Sequence, residues 1–244
     1  NGDDDILRAY RNKDVKPVYV GIDSDADFRA VNIREGIGNT TFDILYGGQL
    51  HGSITIPTMG RHNVYAALFA YAVGKRMNLE DDIIMRGLSN YKPVGMRQNI
   101  YKVGEITVIE DCYNASPESM EAALRVLHTL SKEKNGGRSV AVLGDMKELG
   151  TYAPRLHRRV GRFLGELGID ALVTVGEEAS DIAAGAVIGG MPESHILQFS
   201  ASAKEDIPAI ADKLRSLLCE GDTVLFKASR AMALERIVDA LTAQ

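Results

Sequence analysis

Basic charge is scarce in this 244-residue chain: 28 Lys and Arg stand against 33 Asp and Glu, a formal charge of -5. That balance excludes the cationic excess behind sequence-independent nucleic-acid binding. No Lys/Arg-rich tract is present to seek an anionic membrane. Long apolar runs are missing too, since the longest, at 64–74, is far too short to span a bilayer, so no membrane insertion is expected. Only two cysteines occur, Cys112 and Cys219, far apart in the chain. They cannot build a Cys-rich zinc site, and a reducing, cytoplasmic location is expected. With 24 Gly and 7 Pro the chain is neither collagen-like nor of low complexity. The opening NGDDDILRAY has no initiator Met, basic n-region or apolar h-region, so no signal peptide is expected. It reads as a piece cut from something longer.

What is present is an ordinary globular composition, 45% hydrophobic and 25% charged, enough for one large domain or two small ones. Residues 1 to about 60 read as β-rich, with strands at 18–23, 40–45 and 52–57. Gly47-Gly48 and His51-Gly52 punctuate the last two as in a hairpin. A short helix is expected at 6–13. From 62 to 77 the apolar residues Val64, Ala67, Leu68, Tyr71 and Ala72 recur at three- and four-residue spacing, which predicts an amphipathic helix. Glu80, Asp81 and Asp82 open a second helix at 79–88. Periodicity stops at 89–98, where Pro93 and Gly95 flank Val94, and this stretch is the expected boundary between domains 1–93 and 94–244.

Beyond a hairpin at 100–103 and 106–111, strands and helices alternate. Ser116 and Pro117 suit the N-cap and first position of a helix. Strands follow at 139–144, 171–176, 195–200 and 223–229, with helices at 153–167, 177–187, 203–218 and 232–241. Short apolar strands separated by amphipathic helices predict a mostly parallel sheet covered on both faces. Right-handed crossovers make it a doubly wound, Rossmann-like α/β domain.

No phosphate loop, Gly-rich dinucleotide fingerprint or His-Glu-x-x-His motif occurs, and the five histidines are scattered. Each histidine reads as a surface or packing residue. Polar groups gather instead at expected strand ends: Asp111 and Asn114, then Asp145, then Lys227, Ser229 and Arg230. Ligands of doubly wound sheets bind outside the carboxyl ends of the strands. Two acids, an amide and two cations on one rim therefore suggest a binding crevice. The bland alternative is that Asp and Ser cap helices while Lys227 pairs with Asp145. His62 and Asn63 open the helix at 62–77, where exposed backbone N–H groups favour anions or polar ligand edges. Arg97 lies just past the boundary, placed to reach across a cleft between domains; alone, it reads as a surface arginine.

Together, GRHNVYAALFA, KPVGMRQ, IEDCYNASPESMEAAL, VAVLGDMKELG with LHRRVG after it, and VLFKASRAMALERIV resemble the Mur ligase family. These are ATP-dependent amide-forming enzymes of peptidoglycan precursor synthesis. The motifs keep the family's order from Gly60 to the C-terminus, and their wording is nearest the branch acting on UDP-N-acetylmuramoyl-tripeptide and D-alanyl-D-alanine. The resemblance implies that residues 1–93 are the latter part of a central ATP-binding domain. It implies that His62 and Asn63 lie beside the adenine, Asp111 binds the ribose, and Arg97 stands near the phosphates as the catalytic cation. Asn114, Asp145, Lys227, Ser229 and Arg230 then line the cleft for the amino substrate, though Asn114 equally suits the nucleotide. The phosphate loop, Mg ligands and UDP-binding domain belong upstream, so no metal ligand is expected here and the chain alone should be silent. Ala66 and Ala228 depart from the family's usual Asn and Gly. Folylpolyglutamate or cyanophycin synthetase-like ligases share the architecture, and a non-catalytic nucleotide- or peptide-binding module is the alternative from another class.

Overall fold

The computed structural model describes residues 1–10, 13–92, 95–133, 137–200 and 203–242. Parts of the expected short helix (residues 11–12) and of the expected boundary (Pro93 and Val94) lie outside them. The chain divides into two units, Asn1–Lys92 and Pro93–Gln244.

In the first unit, strands β1 (Val20–Gly21), β2 (Phe28–Gly36), β3 (Asn39–Tyr46) and β4 (Gln49–Ile56) form one sheet in that order. β1 runs parallel to β2 and the other pairs are antiparallel. Helices α1 (Asp5–Ala9), α2 (Arg61–Arg76) and α3 (Asp81–Ser89) complete the unit. The stripe Val64, Ala67, Leu68, Tyr71 and Ala72 of α2 is buried with Phe28, Phe42, Ile44, Ile54 and Ile56 of the sheet. Two expectations fail here. β2 escaped notice because its apolar alternation ends after Phe28 and Ala30, where a bulge at Asn32 (φ 53°) breaks the register. His51-Gly52 is not a turn but a bulge inside β4, opposite Ile44; only Gly47-Gly48 turns the hairpin.

The second unit holds β5 (Asn99–Val103), β6 (Ile106–Glu110), α4 (Pro117–Glu133), β7 (Ser139–Gly144), α5 (Ala153–Leu167) and β8 (Ala171–Val175). It continues with α6 (Ser180–Ile188), β9 (Ile196–Phe199), α7 (Ala203–Leu217), β10 (Thr223–Lys227) and α8 (Glu235–Thr242). The strand order is β5-β6-β10-β7-β8-β9, parallel except for β5. Val140, Val142, Val173, Val224 and Phe226 are buried with Ile207, Ile210 and Leu214 of α7 and Ile237 and Val238 of α8. The alternate residues Ile109, Ala141, Leu143, Leu172 and Leu225 face the other way and are equally buried; α4 packs on that side against β10 and β7. Burial on both faces explains the unbroken apolar runs. α4 starts as the sequence predicts. Ser116 Oγ accepts the Ser119 N–H at 3.3 Å while Ser119 Oγ accepts the Ser116 N–H at 2.9 Å, a reciprocal capping box.

Among the described residues, no helix is long and apolar enough to cross a membrane.

Candidate functional site

β6, β10 and β7 are neighbours in the centre of the sheet, so their carboxyl ends present Asp111, Lys227 and Asp145 side by side. Asp111 follows β6 directly, its N–H bound to the Phe226 carbonyl of β10 at 2.9 Å. Lys227 ends β10 with its side chain 3% exposed, and its Nζ donates to Asp111 Oδ2 at 2.6 Å and to the Asn114 carbonyl at 2.9 Å. The Gln98 N–H donates to Asp111 Oδ1 at 3.2 Å. The pairing of Lys227 with Asp145 is therefore overturned: its ammonium turns toward β6, and Asp145 takes another cation.

That cation is Lys147, whose Nζ donates to Asp145 Oδ2 at 2.8 Å and lies 3.5 Å from Glu178 Oε1. Burial works to lower the Lys147 pKa, but the Asp145 hydrogen bond and charge, with Glu178, outweigh it and raise it. Asp145 is buried, and its Oδ1 accepts the Ala179 N–H at 2.8 Å, just ahead of α6. This approach needs Gly176: its φ is 124°, and a Cβ there would stand 2.2 Å from Asp145 Oδ1. Ser229 ties two loops together, its N–H donating to the Asp145 carbonyl at 3.0 Å and its Oγ accepting the Lys147 N–H at 2.8 Å.

Arg230 is exposed, pairs with Glu235 at 2.6 Å and reaches the Met96 sulfur at 3.4 Å. Arg97, also exposed, has its guanidinium over the Tyr113 ring, 4.1 Å from its centroid. Asn114 is exposed, with Oδ1 accepting the Ala115 N–H at 2.8 Å. Ala228 is buried, with its methyl against the space that Gly144 leaves open, so the methyl causes no crowding. The Cys112 thiol is buried behind the rim, its pKa pushed up by desolvation and then by Glu110 and Glu235; it and Cys219 are both free.

All the expected rim residues thus fall in the Pro93–Gln244 unit, together with Arg97. His62 and Asn63 belong to the first unit, in the first turn of α2, where Gly60 provides no side-chain cap. Asn63 Nδ2 donates to the Met59 carbonyl at 2.7 Å, and His62 Nε2 is 3.2 Å away. Sequence reasoning missed Lys147, Glu178 and Tyr113. Lys147 sits inside the quoted GDMKELG motif, but nothing in the spacing says that it folds back on Asp145. Among the described residues, no group of three His, Cys, Asp or Glu could hold a metal ion.

The model of the Mur ligase, glutamate ligase domain, matches residues 96–230. The chain belongs to the Mur ligase family. A UDP-N-acetylmuramoyl-tripeptide–D-alanyl-D-alanine ligase of Bacillus subtilis is 31% identical, the match covering 97% of this chain and 49% of that protein. The crystal structure of MurF from Acinetobacter baumannii superposes with TM-score 0.76 at 27% identity, over 90% of this chain and 45% of that one. MurF ligase from Thermotoga maritima in complex with ADP gives the same TM-score, 0.76, over 98% and 51%; at 24% identity the likeness is one of fold. This Mur ligase chain therefore spans about half the length of the relatives it matches.

Proposed function

We propose that these residues are part of an ATP-dependent amide ligase joining D-alanyl-D-alanine to UDP-N-acetylmuramoyl-tripeptide in the cytoplasm. The observation that carries the reading is the linked set Asp111–Lys227 and Asp145–Lys147–Ser229 at the central strand ends of a Mur ligase domain. The relatives' names supply the substrates. In this reading residues 94–244 are the C-terminal ligase domain and 1–93 the latter part of the central ATP-binding domain. The phosphate loop and the Mg ligands are assigned to the half of the relatives' length that this chain does not span.

The donor set suits a nucleotide. An ionised carboxylate offers about four lone-pair directions, and Asp111 uses one for Lys227 and one for Gln98. The remainder can accept ribose hydroxyls. Lys227 is committed to Asp111 and the Asn114 carbonyl, so its part is to hold the ribose acceptor in place. His62 and Asn63 take the adenine edge. Arg97, whose guanidinium is exposed on the Tyr113 ring, neutralises phosphoryl and oxyanion charge as the substrate carboxylate is phosphorylated and the amine then attacks the acyl phosphate. Asn114, Asp145, Ser229 and Arg230 face the amino substrate.

Phosphate release by the full-length protein tests this. Release should require ATP, UDP-N-acetylmuramoyl-tripeptide and D-alanyl-D-alanine together, and the 244 residues alone should give none. Turnover with a folate and glutamate instead would move the protein to another branch of the family.

A further inference from the structure

His157, on α5, is fully buried, and no step above uses it. Its Nε2 accepts the Met146 N–H at 2.9 Å and its Nδ1 bonds the Ala153 carbonyl at 2.7 Å. A backbone N–H aimed at Nε2 leaves Nδ1 as the protonated nitrogen, so the geometry selects one tautomer. The ring thereby ties the residue after Asp145 to the first residue of α5. The same segment is also held by Ser229 Oγ on the Lys147 N–H, while the Asp145 carboxylate holds Ala179. Glu178 stands near the ring, its Oε2 4.0 Å from Nε2.

We propose that His157 is a positioning residue for the amino-substrate side of the site. It never meets substrate; it sets the backbone path of 145–147, and so the placement of Asp145, Lys147 and the Ser229 latch. The proposal rests on the reading above that Asp145 and Ser229 receive the amino substrate. Asp111 is held by Lys227 and Gln98, so the nucleotide side does not depend on this clamp.

The test uses the full-length ligase with His157→Leu, which cannot bond either group, and His157→Gln, whose amide can accept from Met146 and donate to Ala153. His157→Leu should raise KM for D-alanyl-D-alanine about tenfold or more and leave KM for ATP within about twofold, with Gln restoring most of the loss. A fold defect would lower kcat for the protein as a whole without separating the two KM values. Equal KM changes, or no rescue by Gln, overturn the proposal. Hydrogen exchange decides the clamp without any variant: the Met146 amide of the wild type should exchange as slowly as those of β7, and exchange at open-loop rates overturns it. No turnover of D-alanyl-D-alanine by the wild type would remove the substrate reading, and slow Met146 exchange would still show the clamp.

Discussion

Replacing Lys227 with Met keeps most of the side-chain volume and removes the ammonium from a position where it is 3% exposed. Asp111 Oδ2 and the Asn114 carbonyl then each lose a donor. Breaking a buried ion pair from one side costs about 3–5 kcal/mol. Asp111 is 19% exposed, so water recovers part of that loss. The expected cost is about 2–4 kcal/mol, or roughly 5–15 °C in the midpoint of a unit this size. Thermal and guanidinium unfolding of the 244-residue chain, following the transition of the Pro93–Gln244 unit, reads it directly. Adding Asp111→Asn removes the stranded charge, so the double variant should be more stable than Lys227→Met by about 1 kcal/mol or more. A single-variant cost below about 1 kcal/mol, or simple additivity of the two changes, would refute the reasoning.

Three further outcomes are expected. Gly176→Ala should destabilise by about 2–4 kcal/mol in denaturant titrations, because the methyl meets the Asp145 carboxylate at a positive φ; a loss under about 1 kcal/mol means that the loop has room. Arg97→Ala in the full-length enzyme should lower kcat more than it raises KM, and an unchanged kcat would remove Arg97 from the chemistry. In the first unit, burial works to raise the Asp81 pKa, but hydrogen bonds from Lys75, Tyr71 and His51 outweigh it and hold the carboxyl well below 3.8. A depressed folded pKa gives stability that is complete above the unfolded value and fades as pH falls through the folded one. The Asn1–Lys92 unit should therefore weaken below about pH 4, and Asp81→Asn should flatten that slope; a slope equal to wild type would discount the network.

Element by element, the second unit was legible because its strands are buried on both faces and its helices carry one apolar stripe. Val140, Val142, Leu143 and their neighbours form unbroken runs that no surface strand would show. β2 was not legible: Arg29, Asn32, Arg34 and Glu35 interrupt the apolar pattern of a strand whose buried residues, Phe28 and Ala30, lie at one end. The candidate site divides the same way. That Asp111, Asp145 and Lys227 close strands follows from apolar spacing; which acid Lys227 meets depends on strand order, which periodicity does not encode. His157 shares a stripe with Val160, Gly161 and Leu164, so burial could be read from spacing, but its two hydrogen bonds could not.

The position of β10 bears on how such a domain is made. β10, the last strand in sequence among the described residues, lies between β6 and β7, pairing Thr223 with Thr107 on one side and with Ser139 on the other. A nascent chain that has not yet reached Thr223 has a gap of roughly 10 Å, two strand spacings, through the middle of its sheet. Deleting this strand would not trim an edge; it would split the sheet between the two aspartates. Contacts of such long range form late and slowly. Closing that gap brings Asp111 and Asp145 to one rim and delivers Lys227 in the same event, so during synthesis no partly built sheet displays the assembled site.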